Sequence, residues 1–270
     1  LINLGLDAWF ILGLGWAAYG AGLATAIAQW LQLGVAIAFF WGRRGGVGLD
    51  WTRIFDLERF RSMFGLQRDI LIRTLCLVSA LALFTDFSAR LGTTALAANA
   101  LLLKIVTSAA FFIDGAAYAV ETLAGIFHGR ADHPSLRRLV RLAIATGLGL
   151  AAVIAGTVVL APFQTLGLLT HHTDVVELGA SLAFWLLPVL LLGSVAYILD
   201  GLFIGLTDGR TLRNAMLVSV GVAYLPIAFW ALHAESLHGL WTALAVFMLA
   251  RIVTLGRATL RLPAYRKPHA

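Results

Sequence analysis

Long apolar segments recur along almost the whole chain, and they constrain its fold more than any other feature. A helix needs about 20 mostly apolar residues to cross the hydrocarbon core of a bilayer. Of the 270 residues, 60% are hydrophobic and only 13% are charged, whereas soluble domains carry about 25% charged residues. The apolar segments cover residues 1–14, 20–41, 70–89, 94–126, 139–161, 178–205, 214–232 and 238–256. The sequence therefore predicts an all-α polytopic membrane protein with about eight transmembrane helices.

The positions of the basic residues predict how these helices are oriented. Of the 20 Lys and Arg, 16 lie in the connections that follow residues 41, 126, 205 and 256. Lys and Arg accumulate in the cytoplasmic connections of membrane proteins, so these connections and the C-terminus are predicted to be cytoplasmic. The net charge of +6 thus reflects topology, and the chain has no compact basic domain that would indicate a nucleic-acid partner.

The longest of these connections, residues 42–69, has apolar and charged side chains at roughly helical spacing. The apolar residues Ile54 and Phe55, for example, are interspersed with the charged residues Arg53 and Arg59. This pattern is typical of an amphipathic helix that lies at the membrane surface. We therefore interpret residues 42–69 as a cytoplasmic linker between two helix bundles.

The linker divides the chain into unequal parts. Residues 1–41 are predicted to be the remnant of a first bundle, residues 70–256 a complete second bundle of six helices, and residues 257–270 a basic tail. A short repeat supports two similar halves, because GLATA at Gly22 returns as GLWTA at Gly239. The chain also begins within an apolar segment and without Met. We therefore expect a C-terminal fragment whose main partner is the missing first bundle of the same chain.

Several stretches together resemble one family of transporters. They are NLGLDAWFI at 3–11, GAGLATAIA at 20–28, LAANA at 96–100, DGAAYA at 114–119, ETLAG at 121–125, DGLFIG at 200–205, RNAM at 213–216, GLW at 239–241 and Arg251. The combination, which spans most of the chain, is similar to the DinF-like branch of the multidrug and toxic compound extrusion (MATE) family.

The resemblance implies a multi-pass protein of the bacterial cytoplasmic membrane. It further implies about twelve helices in two bundles, with residues 1–41 as the end of helix 5 and helix 6. The implied activity is the export of small organic or toxic compounds against an inward flow of H⁺ or Na⁺. It also implies that Asn3 and Asp7 belong to a cation site in the first bundle.

Ionisable side chains at membrane depth are candidates for function because each costs at least about 2.5 kcal/mol to insert. Six qualify, namely Asp7, Asp86, Lys104, Asp114, Glu121 and Asp200. Asn3 and Asp7 are four residues apart and share a helix face. A carboxylate and an amide oxygen placed in this way can bind Na⁺ or hold a proton. Alternatively, Asp7 only braces a helix near the external surface.

The other candidates belong to the second bundle. Asp114, Tyr118 and Glu121 have the spacing of one helical stripe, which suits either a pocket wall or a hydrogen-bond network between helices; we favour the network. Asp200 could add to a polar patch or cap a helix interior. Lys104 snorkels, pairs with an acid such as Asp114, or marks an atypical substrate.

Asp86 lies four residues before Arg90. This spacing predicts an ion pair at the external end of a helix.

No pattern in the sequence indicates an enzyme, a cofactor or a metal site. The adjacent histidines His171 and His172 cannot converge on one ion, and no phosphate-binding loop is present. Transport of a small-molecule substrate must then draw its energy from an ion gradient. The alternative function is a lipid-linked oligosaccharide flippase of the wider superfamily. Its cavity needs several basic residues for a pyrophosphate, and only Lys104 and Arg73 are available.

Overall fold

The computed structural model of the chain describes residues 2–42 and 56–265, and the side chains of Glu58, Arg59 and Ser62 are not described. Among these residues every regular element is helical, which confirms the all-α prediction. Seven helices are long and apolar enough to cross a membrane, and the apolar helix Ile2–Gly13 is shorter. The chain divides into two compact units, Leu1–Leu57 and Glu58–Ala270.

The first unit contains the short helix α1 (Ile2–Asp7), a π-helical stretch (Ala8–Gly13) and the long helix α2 (Ala17–Gly42). A tight contact joins the two parts, because a Cβ added to Gly20 would lie 3.0 Å from the Cβ of Phe10. Phe10 is accordingly the buried residue of the π-helical stretch. The absence of a side chain at Gly20 thus lets the backbone of α2 approach the preceding helix closely.

The second unit contains the predicted bundle. Its helices are α3 (Leu57–Arg90), α4 (Thr93–Gly129), α5 (His133–Leu160), α6 (Pro162–Gly167), α7 (Thr173–Leu182), α8 (Leu186–Gly205), α9 (Gly209–Val218), α10 (Leu225–His233) and α11 (Leu237–Arg261). α7 with α8, and α9 with α10, each form one membrane-crossing element, Thr173–Gly205 and Gly209–His233. The bundle therefore supplies six of the seven long crossings.

α3 begins earlier than the apolar pattern suggested. The helix is continuous from Leu57 to Arg90, so residues 57–69 of the predicted linker are helical and run directly into the first crossing of the bundle. The remaining part of the predicted amphipathic segment, residues 43–55, lies outside the described residues.

Three connections between helices share one turn geometry. Ala131, Thr207 and Glu235 each have a positive φ, between 47° and 56°. The next residue is in each case the N-cap of a helix, and its side chain accepts a hydrogen bond of 3.1 Å from a backbone N–H of the first turn. These caps satisfy N–H groups that lack a partner within the helix. Asp132, Asp208 and Ser236 therefore fix the starts of α5, α9 and α11.

Two crossings are interrupted near a proline. A 3₁₀ turn (Ala183–Trp185) separates α7 from α8, and a π-helical stretch (Ser219–Tyr224) separates α9 from α10. Pro188 and Pro226 follow these interruptions within a few residues. Proline lacks the N–H that would bond to the carbonyl four residues earlier, so the regular helical ladder is broken at these places.

The closest packing in the bundle is between α4 and α8. A Cβ added to Gly201 would lie 2.5 Å from the backbone oxygen of Ala117, and one added to Gly205 would overlap the backbone oxygen of Glu121. Small residues allow helices to approach closely where lipid supplies no hydrophobic driving force. The glycines of α8 therefore set the distance between these two helices.

A buried polar network joins α3, α4 and α11. The indole Nε1–H of Trp241 donates to Oδ1 of Asn99 at 2.9 Å, and Nδ2 of Asn99 donates to Oγ of Ser88 at 2.8 Å. Ser88, Asn99 and Trp241 are at most 1% exposed. The network satisfies polar atoms that would be costly to bury alone, and it fixes the register of three helices.

The close approach of α4 and α8 gives a first testable prediction. Gly201→Ala should lower the free energy of unfolding by about 1–3 kcal/mol, because the backbones must separate to admit a methyl group. The matched control is Gly149→Ala in α5, where an added Cβ meets nothing within 4 Å. Unfolding midpoints of the purified variants in detergent test the difference. Equal midpoints for the two variants would contradict the packing described for α4 and α8.

Candidate functional site

The second unit contains a buried aspartate that two arginines share. Asp200 in α8 is 4% exposed. Its Oδ2 accepts a hydrogen bond from Nη2 of Arg251 in α11 at 2.5 Å. The same oxygen also accepts from Nη2 of Arg73 in α3. One carboxylate oxygen therefore links three helices of the bundle.

Arg251 is fully enclosed by protein groups. Its guanidinium carbon lies 5.2 Å from the ring centroid of Tyr197 and 5.6 Å from that of Phe247. Its Nη1 lies 3.4 Å from the sulfur of Met248. Aromatic rings attract a cation through their negative faces. Arg251 is thus held by an aspartate and two rings, and only 1% of it is exposed.

Arg73 differs from Arg251 because it also lines a cavity of about 310 Å³. This cavity lies among α3, α4, α8 and α11. Its polar wall consists of Arg73, Thr107, Asp114, Tyr118, Glu121, Tyr197 and Asp200. Its apolar wall includes Leu77, Leu81, Leu103, Phe111, Leu244 and Met248. The volume is at the lower end of the range for small-molecule pockets.

The structure brings most of the predicted residues of the second bundle together at this cavity. Asp114, Tyr118 and Glu121 lie along one face of α4, as their spacing indicated, and Asp200 belongs to the same lining on α8. The three residues form a wall of the cavity; among the described residues their side chains make no hydrogen bond to another helix, so the favoured prediction of an interhelical network is not what this stripe forms. Lys104 is exposed and does not belong to the cavity lining. Among the described residues no ion pair connects Lys104 with Asp114.

Sequence reasoning did not place the two arginines in this site. Arg251 appeared only as part of the family resemblance, and Arg73 only as a cation for the alternative function. The sequence contains a signal for them. Four Lys or Arg lie outside the predicted cytoplasmic connections, namely Arg73, Arg90, Lys104 and Arg251. A cation that lies at membrane depth needs a partner, and an acid at the same depth was available in Asp200.

The pair predicted near the start of the chain lies in the first unit. Asn3 and Asp7 both belong to α1. Nδ2 of Asn3 donates to Oγ1 of Thr25 at 3.4 Å. Oδ1 of Asp7 is buried, and it has no hydrogen-bond partner among the residues that the structure describes. A buried oxygen without a donor can accept a proton or a cation.

Asp7 also lies directly before an irregularity of the helix. The π-helical stretch Ala8–Gly13 begins at the next residue. Such stretches are rare and often accompany functional sites.

The other predicted ion pair is present. Oδ2 of Asp86 lies 2.9 Å from Nε of Arg90, and the two side chains are 51% and 62% exposed. Exposed pairs of this kind contribute at most about 1 kcal/mol. This pair therefore serves as a reference for the buried cluster at Asp200.

A second buried aspartate joins the start of the bundle to α9. Oδ1 of Asp69 lies 2.6 Å from Nη1 of Arg213 and 3.4 Å from Nη2 of Arg68. The Cβ of Asp69 also lies against Gly209, the first residue of α9. This cluster fixes the end of the bundle opposite to the Asn99 network.

Comparison with known proteins identifies the relatives of the chain. The MatE family model matches residues 70–230. DNA damage-inducible protein F of Escherichia coli (strain K12) is 32% identical over 257 residues, which are 94% of this chain and 56% of that protein. Protein DETOXIFICATION 44, chloroplastic, of Arabidopsis thaliana is 26% identical over 261 residues, which are 94% of this chain and 48% of that protein. The chain thus spans about half the length of these curated relatives.

Solved structures share the fold. A multidrug resistance MATE family transporter of the MOP superfamily, in an outward-facing conformation, has a TM-score of 0.82 at 19% identity. The match covers 98% of this chain and 60% of that transporter. The Vibrio cholerae MATE transporter VcmN in the bent form has a TM-score of 0.79 at 21% identity. The match covers 98% of this chain and 59% of that transporter.

The shared aspartate gives the second prediction. Asp200→Asn should lower the free energy of unfolding by about 3 kcal/mol or more, because two buried guanidinium groups lose their counter-charge. Asp86→Asn, which breaks the exposed pair with Arg90, should cost less than about 1 kcal/mol. Denaturant titration in detergent measures both. If the two variants unfold at the same midpoint, Asp200 does not hold the bundle together.

Proposed function

Since the chain belongs to the MATE family of multidrug efflux transporters, we propose that the protein containing it exports small organic compounds in exchange for H⁺ or Na⁺. The observation that carries this proposal is the buried Oδ1 of Asp7, which has no donor within the described residues. Asn3 stands one helical turn away and can supply a second oxygen. An ion that binds and leaves at this carboxylate is the simplest coupling element that the chain offers.

The charge of the cavity favours an exporter over the alternative flippase. Its lining contains one arginine, Arg73, and three acids, Asp114, Glu121 and Asp200. A pyrophosphate group would require several basic residues, and Arg73 is the single basic residue of the cavity lining that the structure describes. The same acidic groups suit organic compounds that carry a positive charge. We therefore retain efflux of small organic compounds as the function.

Transport of this kind requires more than the described bundle. The curated relatives are about twice as long as this chain. We propose that a further helix bundle of the same protein completes the pathway, and that the bundles alternate in opening to the two sides. The interruptions of the crossings near Pro188 and Pro226 support such movement, because a broken helical ladder can absorb a change of angle.

We further propose that the protein lies in the bacterial cytoplasmic membrane with its C-terminus in the cytoplasm. The concentration of Arg and Lys in alternate connections supports this orientation. The proposed function involves no enzymatic step, no cofactor beyond the coupling ion and no nucleic acid.

The coupling role of Asp7 is testable in the full-length protein. Asp7→Asn should reduce ion-driven efflux to the rate of empty vesicles, because the amide cannot titrate or supply a negative charge to a cation. Asn3→Ala should weaken coupling by about fivefold, since it removes one ligand worth about 1 kcal/mol. Efflux from vesicles with an imposed pH or Na⁺ gradient measures both effects.

Asp174→Asn is the control for this experiment. Asp174 is exposed in the first turn of α7, so its substitution should leave efflux unchanged. An Asp7→Asn protein of normal abundance that exports at the wild-type rate would remove Asp7 from the mechanism.

The orientation is tested by cysteine labelling in a Cys76→Ala background. His172→Cys should react with a membrane-impermeant maleimide that is added outside the cell, because the connection before α7 is predicted to be external. Arg210→Cys in α9 should react only after the membrane is permeabilised. Both positions are exposed, so accessibility within the fold does not differ. The opposite labelling pattern would invert the topology.

A further inference from the structure

Arg73 has fewer partners than a buried guanidinium normally requires. Its side chain is 17% exposed, and Asp200 is its acceptor through Nη2. Its Nε is buried and has no hydrogen-bond partner among the described residues. A guanidinium carries five N–H donors in a planar fork that fits two oxygens of one anion. Nε of the enclosed Arg251 is unpartnered in the same way, so what distinguishes Arg73 is that its side chain is partly exposed at the cavity, where its other N–H groups can donate to a ligand.

Asp200 does not neutralise Arg73 by itself, because it is shared. Its Oδ2 accepts from Arg73 and also from the enclosed Arg251. The three side chains together carry one positive charge in excess. Since Arg251 is surrounded by Tyr197, Phe247 and Met248, Arg73 is the member of this cluster that presents a cation to the cavity.

The remaining charged groups of the cavity lie on another wall. Asp114 and Glu121 project from α4. Asp114 interacts with Arg73 through its charge, although neither acid lies within ion-pair distance of Arg73 in the described part of the chain. Tyr118 and Tyr197 are the other titratable groups of the lining. The cavity thus has a cationic position on α3 and acidic positions on α4, with Leu77, Phe111 and Met248 between them as apolar surface.

We infer that Arg73 is a specificity-determining residue that binds a carboxylate group on the transported compound. The compound would be a small amphipathic molecule that carries both a carboxylate and a basic group. Its carboxylate accepts hydrogen bonds from the fork of Arg73, its basic group lies near Asp114 and Glu121, and its apolar body contacts the lining of the cavity. This inference rests on the proposed function as an exporter of small organic compounds.

Two dyes that differ in one group test this inference. A xanthene dye of the rhodamine class with a free carboxylate and the methyl ester of the same dye share their cationic ring system, but only the acid has the anionic group. Binding is measured by fluorescence polarisation with the full-length protein in nanodiscs of phosphatidylcholine. The wild type should bind the acid about tenfold more tightly than the ester, as expected for one additional charge-assisted hydrogen-bonded pair.

Substitutions assign the preference to Arg73. Arg73→Gln should reduce the acid-to-ester affinity ratio to about one, mainly by weakening the acid. Arg73→Lys should give an intermediate ratio, because it keeps the charge and loses the planar fork. Arg90→Gln is the matched control, since Arg90 lies on the same helix in an exposed ion pair. Its ratio should equal that of the wild type.

The possible results separate cleanly. A wild-type ratio near one, or an Arg73→Gln protein that keeps the preference, overturns the inference. If Arg73→Gln unfolds, the Arg73→Lys ratio decides, because that variant keeps a counter-charge for Asp200; the wild-type ratio decides if both unfold. Loss of the preference when phosphatidylglycerol replaces part of the phosphatidylcholine would assign the site to a lipid headgroup and also overturn it.

The proposed function is tested independently of this preference. Gradient-driven efflux of the methyl ester does not depend on a carboxylate. If the methyl ester is exported but the wild-type acid-to-ester affinity ratio is near one, the Arg73 inference alone is rejected. If neither dye is exported, the proposal of an exporter is rejected.

Discussion

The second bundle depends on the compensation of charge at Asp200. An ionised group at membrane depth is costly unless a partner of opposite charge and sufficient hydrogen bonds replace its water. Asp200 meets this requirement by binding Arg73 of α3 and Arg251 of α11 through one oxygen. The three helices are therefore joined through Asp200, because its loss would leave two guanidinium groups without their shared counter-charge.

Close helix packing places this cluster beside the cavity. Gly201 follows Asp200 and lies against the backbone of Ala117. On the same helix, Asp114 lies three residues before Ala117 and Tyr118 directly after it. The same glycine that lets α8 approach α4 therefore also brings the carboxylate of α8 to the wall formed by α4. A larger residue at position 201 would separate the acids from the arginines as well as the backbones from each other.

Hydropathy and helical periodicity predicted the parts of the structure that depend on local sequence. The crossing helices, the ion pair of Asp86 with Arg90, and the common face of Asp114, Tyr118 and Glu121 follow from spacings of four to seven residues. Asp200 is separated from Arg73 by 127 residues and from Arg251 by 51, and no period connects such positions. Only the packing of the helices decides which acid meets which base.

The surroundings of the two key aspartates suggest different roles for them. A proton or a cation that binds Asp200 must compete with two arginines that already share its charge. Asp7 has a buried oxygen without a donor within the described residues, and the described structure pairs it with no base. An exchangeable ion therefore meets less competition at Asp7 than at Asp200. On this argument Asp200 positions Arg73 in the cavity wall, while the coupling ion binds in the first unit.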